Sequence, residues 1–253
     1  MPTPFMHLEM AERIRAMVNR LEGENGRLST LLLAEWPAFY LGSVAPDLQA
    51  VCDLPREATH FYPMPPSPED KAWPRMMAEY PELANARHLP ADQAVFVAAY
   101  CAHLMLDLVW FWQVMLPYFA EPPNMGDLRE RFLVHNVLLT WLDEQARMAL
   151  PDTAVTTLAQ AEPDHWLPFA TDADIRQWRD RLVVQLQPGA TTETVATYAR
   201  RMRMSPSEYE AMLHDATWME THLFARVPVD KVQARLETAV SDSIHLIRDY
   251  LRC

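Results

Sequence analysis

His103 and Asp107 stand four residues apart inside an apolar stretch from Ala94 to Phe119. On a helix that spacing puts both side chains on one face. An imidazole and a carboxylate set among Val97, Tyr100, Leu104, Leu106, Trp110 and Trp112 need a partner that neutralises and orients them, and a metal ion does both. Upstream lie His7, Asp47 in Leu41-Gly42-Ser43-Val44-Ala45-Pro46-Asp47, and His60 in Thr59-His60-Phe61, which bring the set to three imidazoles and two carboxylates. Such donors suit zinc, as one or two ions, or another first-row divalent metal, with no thiolate required. Each residue also has a plainer reading. His103 and Asp107 can hydrogen-bond each other within the core, Asp47 can cap a helix after a proline, and His60 can be a loop histidine beside aromatics. His7 lies in a terminal segment of the kind that is often mobile.

The elements that must position these residues are helices. Glycine is scarce, Ala, Leu, Met, Glu, Gln and Arg are abundant, and strand-like alternation is nearly missing, so the expected fold is a single all-α domain over residues 1–253, with a metal-site part at 1–150. The helices of 151–253 would complete the core or cover a pocket. A first helix is predicted from about His7 to Leu21, with Ile14, Met17, Val18 and Leu21 on its apolar stripe. A second is predicted from Ser29 through Trp36 to Leu41, kinked or divided at Pro37. Residues 53–90 hold eight prolines and read as a long ordered loop with one short helix near 68–79. Glu121-Pro122-Pro123-Asn124 breaks the chain, Asp127 caps a helix through His135 to Leu150, Ser205-Pro206-Ser207-Glu208 starts another, and Val227-Pro228 precedes the last. Trp110, Phe111, Trp112, Tyr118 and Phe119 read mainly as core, with one or two free to line an apolar pocket.

Composition narrows the function classes. A formal net charge of −12 disfavours a non-specific hold on nucleic acid or on an anionic membrane surface. Arg200, Arg201 and Arg203 form the one dense basic cluster and read as cations at a helix C-terminus. Cys52, Cys101 and Cys253 are odd in number and widely separated, which argues against a disulfide framework. No basic region followed by an apolar one opens the chain, so a cytoplasmic location is expected. The stretch 94–119 has the length of a membrane span, yet central ionisable residues and the lack of a second such segment favour a buried core helix over a transmembrane one. Phosphate-binding glycine loops and a nucleophilic serine elbow are absent from the sequence. His88, His165, His214, His222 and His245 have no ligand context and are expected to be structural or exposed.

Taken in order, a histidine near the start, Leu-Gly-x-x-x-Pro-Asp, Thr-His-Phe and His-x-x-x-Asp on a buried helix resemble the zinc-dependent phospholipase C family, an all-α fold shared with single-strand-specific nucleases. The likeness runs over roughly residues 1–145. It implies that Asp47, His60, His103 and Asp107 form one metal site, that Asp107 bridges to a second ion bound by His7, and that Asp47 serves as general base beside the attacking water. The chain also departs from the family. The tryptophan that begins the secreted members is replaced here by Met1, six residues before His7; a further family histidine after the helix aspartate is here Gln113; and the family's His-x-x-x-Glu pair appears as His135 followed by Leu139. A third metal is therefore missing or remade. His135 with Asp143 is one replacement, but eight residues of helix separate them by about 12 Å. His135, Gln113 and Asp143 remain candidates for the pocket or for support of the ligands.

The leading expectation is a metal-dependent hydrolase of a phosphoester, such as a phospholipid or another phosphodiester, acting on a small-molecule or lipid-like substrate. Two other readings stand beside it: a hydrolase or lyase of a small apolar metabolite on the same scaffold, and a non-catalytic helical binding protein with a structural metal.

Overall fold

Five glycines in the whole chain leave proline and polar caps to divide the helices. The computed structural model describes residues 1–120 and 125–252, and among these every regular element is helical. α1 (Pro4–Glu22) starts three residues earlier than expected because Pro4 occupies its first turn, where the missing N–H costs no hydrogen bond. His7 consequently lies within the helix, on the buried face with Phe5 and Leu8, rather than in a loose end. Ile14 and Val18 are buried as the stripe predicts, whereas Leu21 is 60% exposed near the end of the helix. α2 (Arg27–Ala34) and α3 (Trp36–Gly42) are separate helices, divided one residue ahead of Trp36-Pro37. A 3-10 turn (Ala45–Ala50) carries Asp47 in its first turn, and α4 (Arg56–His60) ends on His60.

The proline-rich stretch contains α5 (Ala72–Glu79) and two short 3-10 turns before α6 (Ala91–Trp110). The single long helix expected over 94–119 changes character at Phe111, where a π-helical segment (Phe111–Ala120) takes over. Pro117 lies inside it; its ring crowds the preceding turn, and the wider π geometry makes room that an α-helix would not. The expected break at Glu121-Pro122-Pro123-Asn124 falls outside the described residues. Asp127 caps α7 (Leu128–Ala149) by accepting from the Glu130 amide at 2.8 Å. After it come α8 (Ala154–Ala159), α9 (Asp172–Leu186), α10 (Thr194–Met202), α11 (Pro206–His214), α12 (Ala216–Trp218) running into a π turn (Met219–Phe224), and α13 (Val229–Leu251). Ser205 and Glu208 form the reciprocal cap that starts α11.

α6 is the centre of the bundle, packed by α3 on one side and α13 on another, while α1 packs on α7 and α13. The segment 91–120 is the one helix among the described residues long and apolar enough to cross a membrane, and 94% of its most apolar window is buried against the rest of the chain. Gly42 decides how closely α3 approaches α6: a Cβ there would sit 2.3 Å from the Phe96 carbonyl oxygen. Of the aromatics after Asp107, Trp110, Phe111 and Phe119 are buried and Trp112 and Tyr118 are half-buried. His88, His165, His214 and His245 are exposed, and His222 stacks on Trp218. Cys101 is a buried free thiol and Cys52 a half-buried one; Cys253 lies outside the described residues.

Candidate metal centre

Three local features bring five side chains together. The last turn of α4 aims His60 inward because Phe61, the residue after it, takes a left-handed conformation with φ 59°. That conformation is unfavourable for a phenylalanine, and it is held by ring contacts of Phe61 with Phe169 and Tyr80 at 5.3 and 6.1 Å. The Tyr100 hydroxyl donates to the Thr59 carbonyl and ties the same turn to α6. From the C-terminal half, the Trp178 indole donates to the Val44 carbonyl at 2.8 Å and fixes the approach to Asp47.

His103 and Asp107 share a face of α6 as their spacing requires, and His7 of α1 stacks on His103 with ring centroids 3.6 Å apart. The His7 Nε2 to Asp107 Oδ1 distance is 3.6 Å; His60 Nε2 lies 3.5 Å from both Asp107 Oδ2 and Asp47 Oδ1; His103 Nε2 lies 4.0 Å from Asp107 Oδ2. These separations are too long for good hydrogen bonds. Two donors at zinc-ligand distance from one shared ion would lie roughly 3–4 Å apart. Donor atoms of His7, His103 and Asp107 fall within 4.8 Å of one another, and so do those of Asp47, His60 and His103. His103 belongs to both sets.

The orphaned atoms decide what the cluster is for. His7 Nε2, His103 Nε2 and Asp107 Oδ1 are all buried and none has a hydrogen-bond partner. Left so, each costs about 1–3 kcal/mol, and all three are atoms that ligate metals. In His103 and His60 the opposite ring nitrogen is already spoken for. His103 Nδ1 donates to the Ser43 carbonyl at 2.8 Å, which leaves the Nε2 lone pair facing the cluster. His60 Nδ1 lies 2.9 Å from Thr59 Oγ1, whose own proton is directed to the Arg56 carbonyl at 3.1 Å or to Gln49 Oε1 at 3.2 Å. That arrangement assigns the ring proton to His60 Nδ1 and again leaves Nε2 free.

Electrostatics agree with the donor chemistry. Burial alone would raise both carboxyls, but the neighbouring imidazoles outweigh it and hold Asp47 and Asp107 well below the usual carboxylate range. Burial, with His7 beside it, lowers His103 to about 3. The donors are thus ionised carboxylates and a neutral imidazole at neutral pH, the forms that bind metal. Four of the five ligand side chains are at most 2% exposed, while Asp47 is 23% exposed. Asp47 is the cluster's opening to the outside.

Two supporting residues had no signal in the sequence. Arg56 Nη2 donates to Asp107 Oδ2 at 2.9 Å and Tyr62 Oη donates to the same oxygen at 2.8 Å. Nothing about the type or position of Arg56 sets it apart from the chain's other arginines; only the fold of 53–62 brings it under α6. With Oδ2 so occupied, Oδ1 is the oxygen of Asp107 left for an ion, and the bridging role implied by the family resemblance would have to displace Arg56 or Tyr62.

The remaining candidates lie elsewhere. His135 accepts from the Trp110 indole at 3.0 Å through Nε2, so it is a neutral ring with its proton on Nδ1. It lines a separate cleft of about 430 Å³ together with residues of the 111–120 segment, α7 and α10. Asp143 is buried and takes a hydrogen bond from Thr194 at 2.6 Å, while Thr3 and the Phe5 amide approach the carboxyl from the start of α1. His135 and Asp143 therefore do not share an ion. Gln113 is half-buried and lines neither the cleft nor the cluster.

No protein-family model, curated protein or solved structure matches the chain. The likeness to the phospholipase C family therefore rests on the four short motifs, and the case for function rests on the geometry of the cluster.

Proposed function

We propose that this protein is a metal-dependent hydrolase of phosphoesters, phospholipase C-like in its centre, with His7, Asp47, His60, His103 and Asp107 as the ligands of zinc or a related first-row ion. The observation that carries the reading is the set of three buried, partnerless ligand atoms, His7 Nε2, His103 Nε2 and Asp107 Oδ1, that face one another. The residues fit the ion by type, protonation and spacing. When bound, such an ion polarises a phosphoryl oxygen and lowers the pKa of an attacking water.

The chain's own groups do the rest. Asp47 is ionised and is the ligand-set member open to solvent, so it is placed to orient the attacking water and accept its proton. Arg56 holds a permanent positive charge against Asp107, and Tyr62, kept protonated by burial and by the Asp107 charge, fixes the same carboxylate as a donor. Exposure of Asp47 is also what favours an enzyme over a structural staple, since a structural ion closes all its positions with protein ligands.

The test is metal content and hydrolysis of a chromogenic phosphodiester, measured on wild type and on Asp47→Asn. Wild type is expected to hold one or two equivalents of a first-row metal, and the variant to fold and retain metal while turnover falls about 100-fold or more. Undiminished turnover in the variant removes Asp47 from the mechanism. A well-folded protein that is metal-free and resists reconstitution removes the hydrolase reading.

A further inference from the structure

The cleft beside the centre has a mixed chemistry that the metal cluster does not explain. Its volume of about 430 Å³ is that of a small-molecule site. Met64, Met115 and Met202 line it with Phe111 and Phe132, and Met64 and Phe132 are 48% and 38% exposed. Thioethers adapt to flexible apolar ligands better than branched side chains do. On the same walls stand Arg129 and Arg201. In a chain with 34 acidic and 22 basic residues, no Asp or Glu is among the described residues lining this cleft.

Neither arginine has a carboxylate partner among the described residues. Arg201 lies over the Tyr198 ring at 5.1 Å, which orients its planar fork without neutralising it. His135 also lines the cleft, its Nε2 accepting from Trp110, and burial and nearby positive charge, Arg201 included, keep its ring neutral. The backbone nitrogen of Met1, another wall residue, lies within electrostatic reach of Arg201 and also of Asp107 and Asp47, so the cleft is near the metal cluster.

We infer that this cleft binds an anionic amphiphile, with the phosphate-type head between Arg129 and Arg201 and the hydrocarbon portion on the methionines and phenylalanines. The inference goes beyond the hydrolase reading above and does not rest on it, since the phosphate lies on the arginines of a separate cleft and not at the metal cluster. A neutral apolar ligand would leave two unpaired guanidinium groups in the wall, and a bare anion would leave the thioethers and rings against water. Guanidinium groups recognise the paired oxygens of a phosphate through parallel N–H donors.

The experiment is calorimetric titration of the full chain, stripped of metal by EDTA, with n-octyl phosphate below its micelle concentration, inorganic phosphate, and n-octanol. Octyl phosphate is expected to bind at least about 100-fold more tightly than either fragment, and Arg129→Gln and Arg201→Gln each to weaken it about tenfold. Arg201→Lys, which keeps the charge and loses the fork, is expected to fall between wild type and Arg201→Gln. Both arginines are exposed, so the variants should fold, and circular dichroism checks that they do. Octanol binding as tightly as octyl phosphate, inorganic phosphate doing so, or a double glutamine variant that binds like wild type would each overturn the inference. The two readings fail separately. Loss of metal binding with octyl phosphate binding intact counts against the hydrolase alone, while metal-dependent phosphodiester hydrolysis with no octyl phosphate binding counts against the cleft alone.

Discussion

α6 and α7 each bury a histidine and an aspartate, and the two pairs look alike in the sequence. His103 and Asp107 are four residues apart; His135 and Asp143 are eight apart. In the fold they have opposite character. The α7 pair has been given private partners, Trp110 for the histidine and Thr194 for one oxygen of the aspartate, whose other oxygen is buried without a partner and outside every cluster of ligand-type atoms among the described residues. On α6 the outer atoms are supported, by Ser43 behind the imidazole and by Arg56 and Tyr62 on one carboxylate oxygen, while the inner atoms are left facing His7 and His60 with nothing between. A buried polar residue that is satisfied by its neighbours holds the fold together. Several that are satisfied only on their far sides and turn their free atoms toward one another are being held for something else.

The strongest way to break this contrast is to compare His103→Ala with His135→Gln in metal binding. Removing a ligand should cost more than the 10- to 100-fold loss of affinity that removing an outer partner brings, whereas glutamine at 135 can still accept from Trp110 and should leave affinity unchanged. Competition against a chromogenic chelator measures both. Equal losses in the two variants would mean that the α7 histidine belongs to the centre and that the distinction drawn from the orphaned atoms is wrong.

A second way acts through the backbone. Gly42→Ala would place a methyl group 2.3 Å from the Phe96 carbonyl oxygen and 3.0 Å from the Ala99 Cβ, so α3 must move off α6. Overpacking of this kind costs about 1–3 kcal/mol, and the shift would draw the Ser43 carbonyl away from His103. Denaturant midpoints should fall and metal affinity should fall with them, while the Trp110–His135 contact at the C-terminal end of α6, about three turns beyond Ala99, is spared. A stability change within ~0.5 kcal/mol would show that the approach of the two helices is looser than the geometry implies.

What the sequence made legible follows from how local each feature is. The five ligand candidates stood out because apolar neighbours make a histidine or aspartate conspicuous, and the i, i+4 spacing on α6 is a local geometric fact. The starts of α7 and α11 were readable because capping is a contact within one turn. Arg56 and Tyr62 were not readable as supports of Asp107, since both contacts cross about 50 residues and depend on how a proline-rich segment folds back. The sequence places Arg201 as a cation at a helix end, and it does lie in the last turn of α10; its place on a cleft wall is set by the packing of α10 on α7, which no local pattern encodes. The π-helical segment at 111–120 escaped notice because its apolar residues satisfy an α-helical pattern as well.

A third comparison separates a structural carboxylate from a ligand most cleanly, because it reads pH rather than metal. Burial is the main reason that the Asp143 carboxyl is pushed up to about 6, with the Thr194 hydrogen bond working against it. An acid whose folded pKa lies above its unfolded value of about 3.9 holds its proton more tightly in the native state, so stability falls as pH rises from about 4 to about 6 and is level above that. Asp143→Asn cannot ionise and so lacks this fall. Its stability relative to wild type should therefore climb through that window by about 3 kcal/mol, at about 1.36 kcal/mol per pKa unit, and then level off. Metal content should be untouched. A pH-independent difference between the two proteins would show that the Asp143 carboxyl titrates in the folded state as it does in the unfolded chain, and a loss of metal would place it in the centre after all.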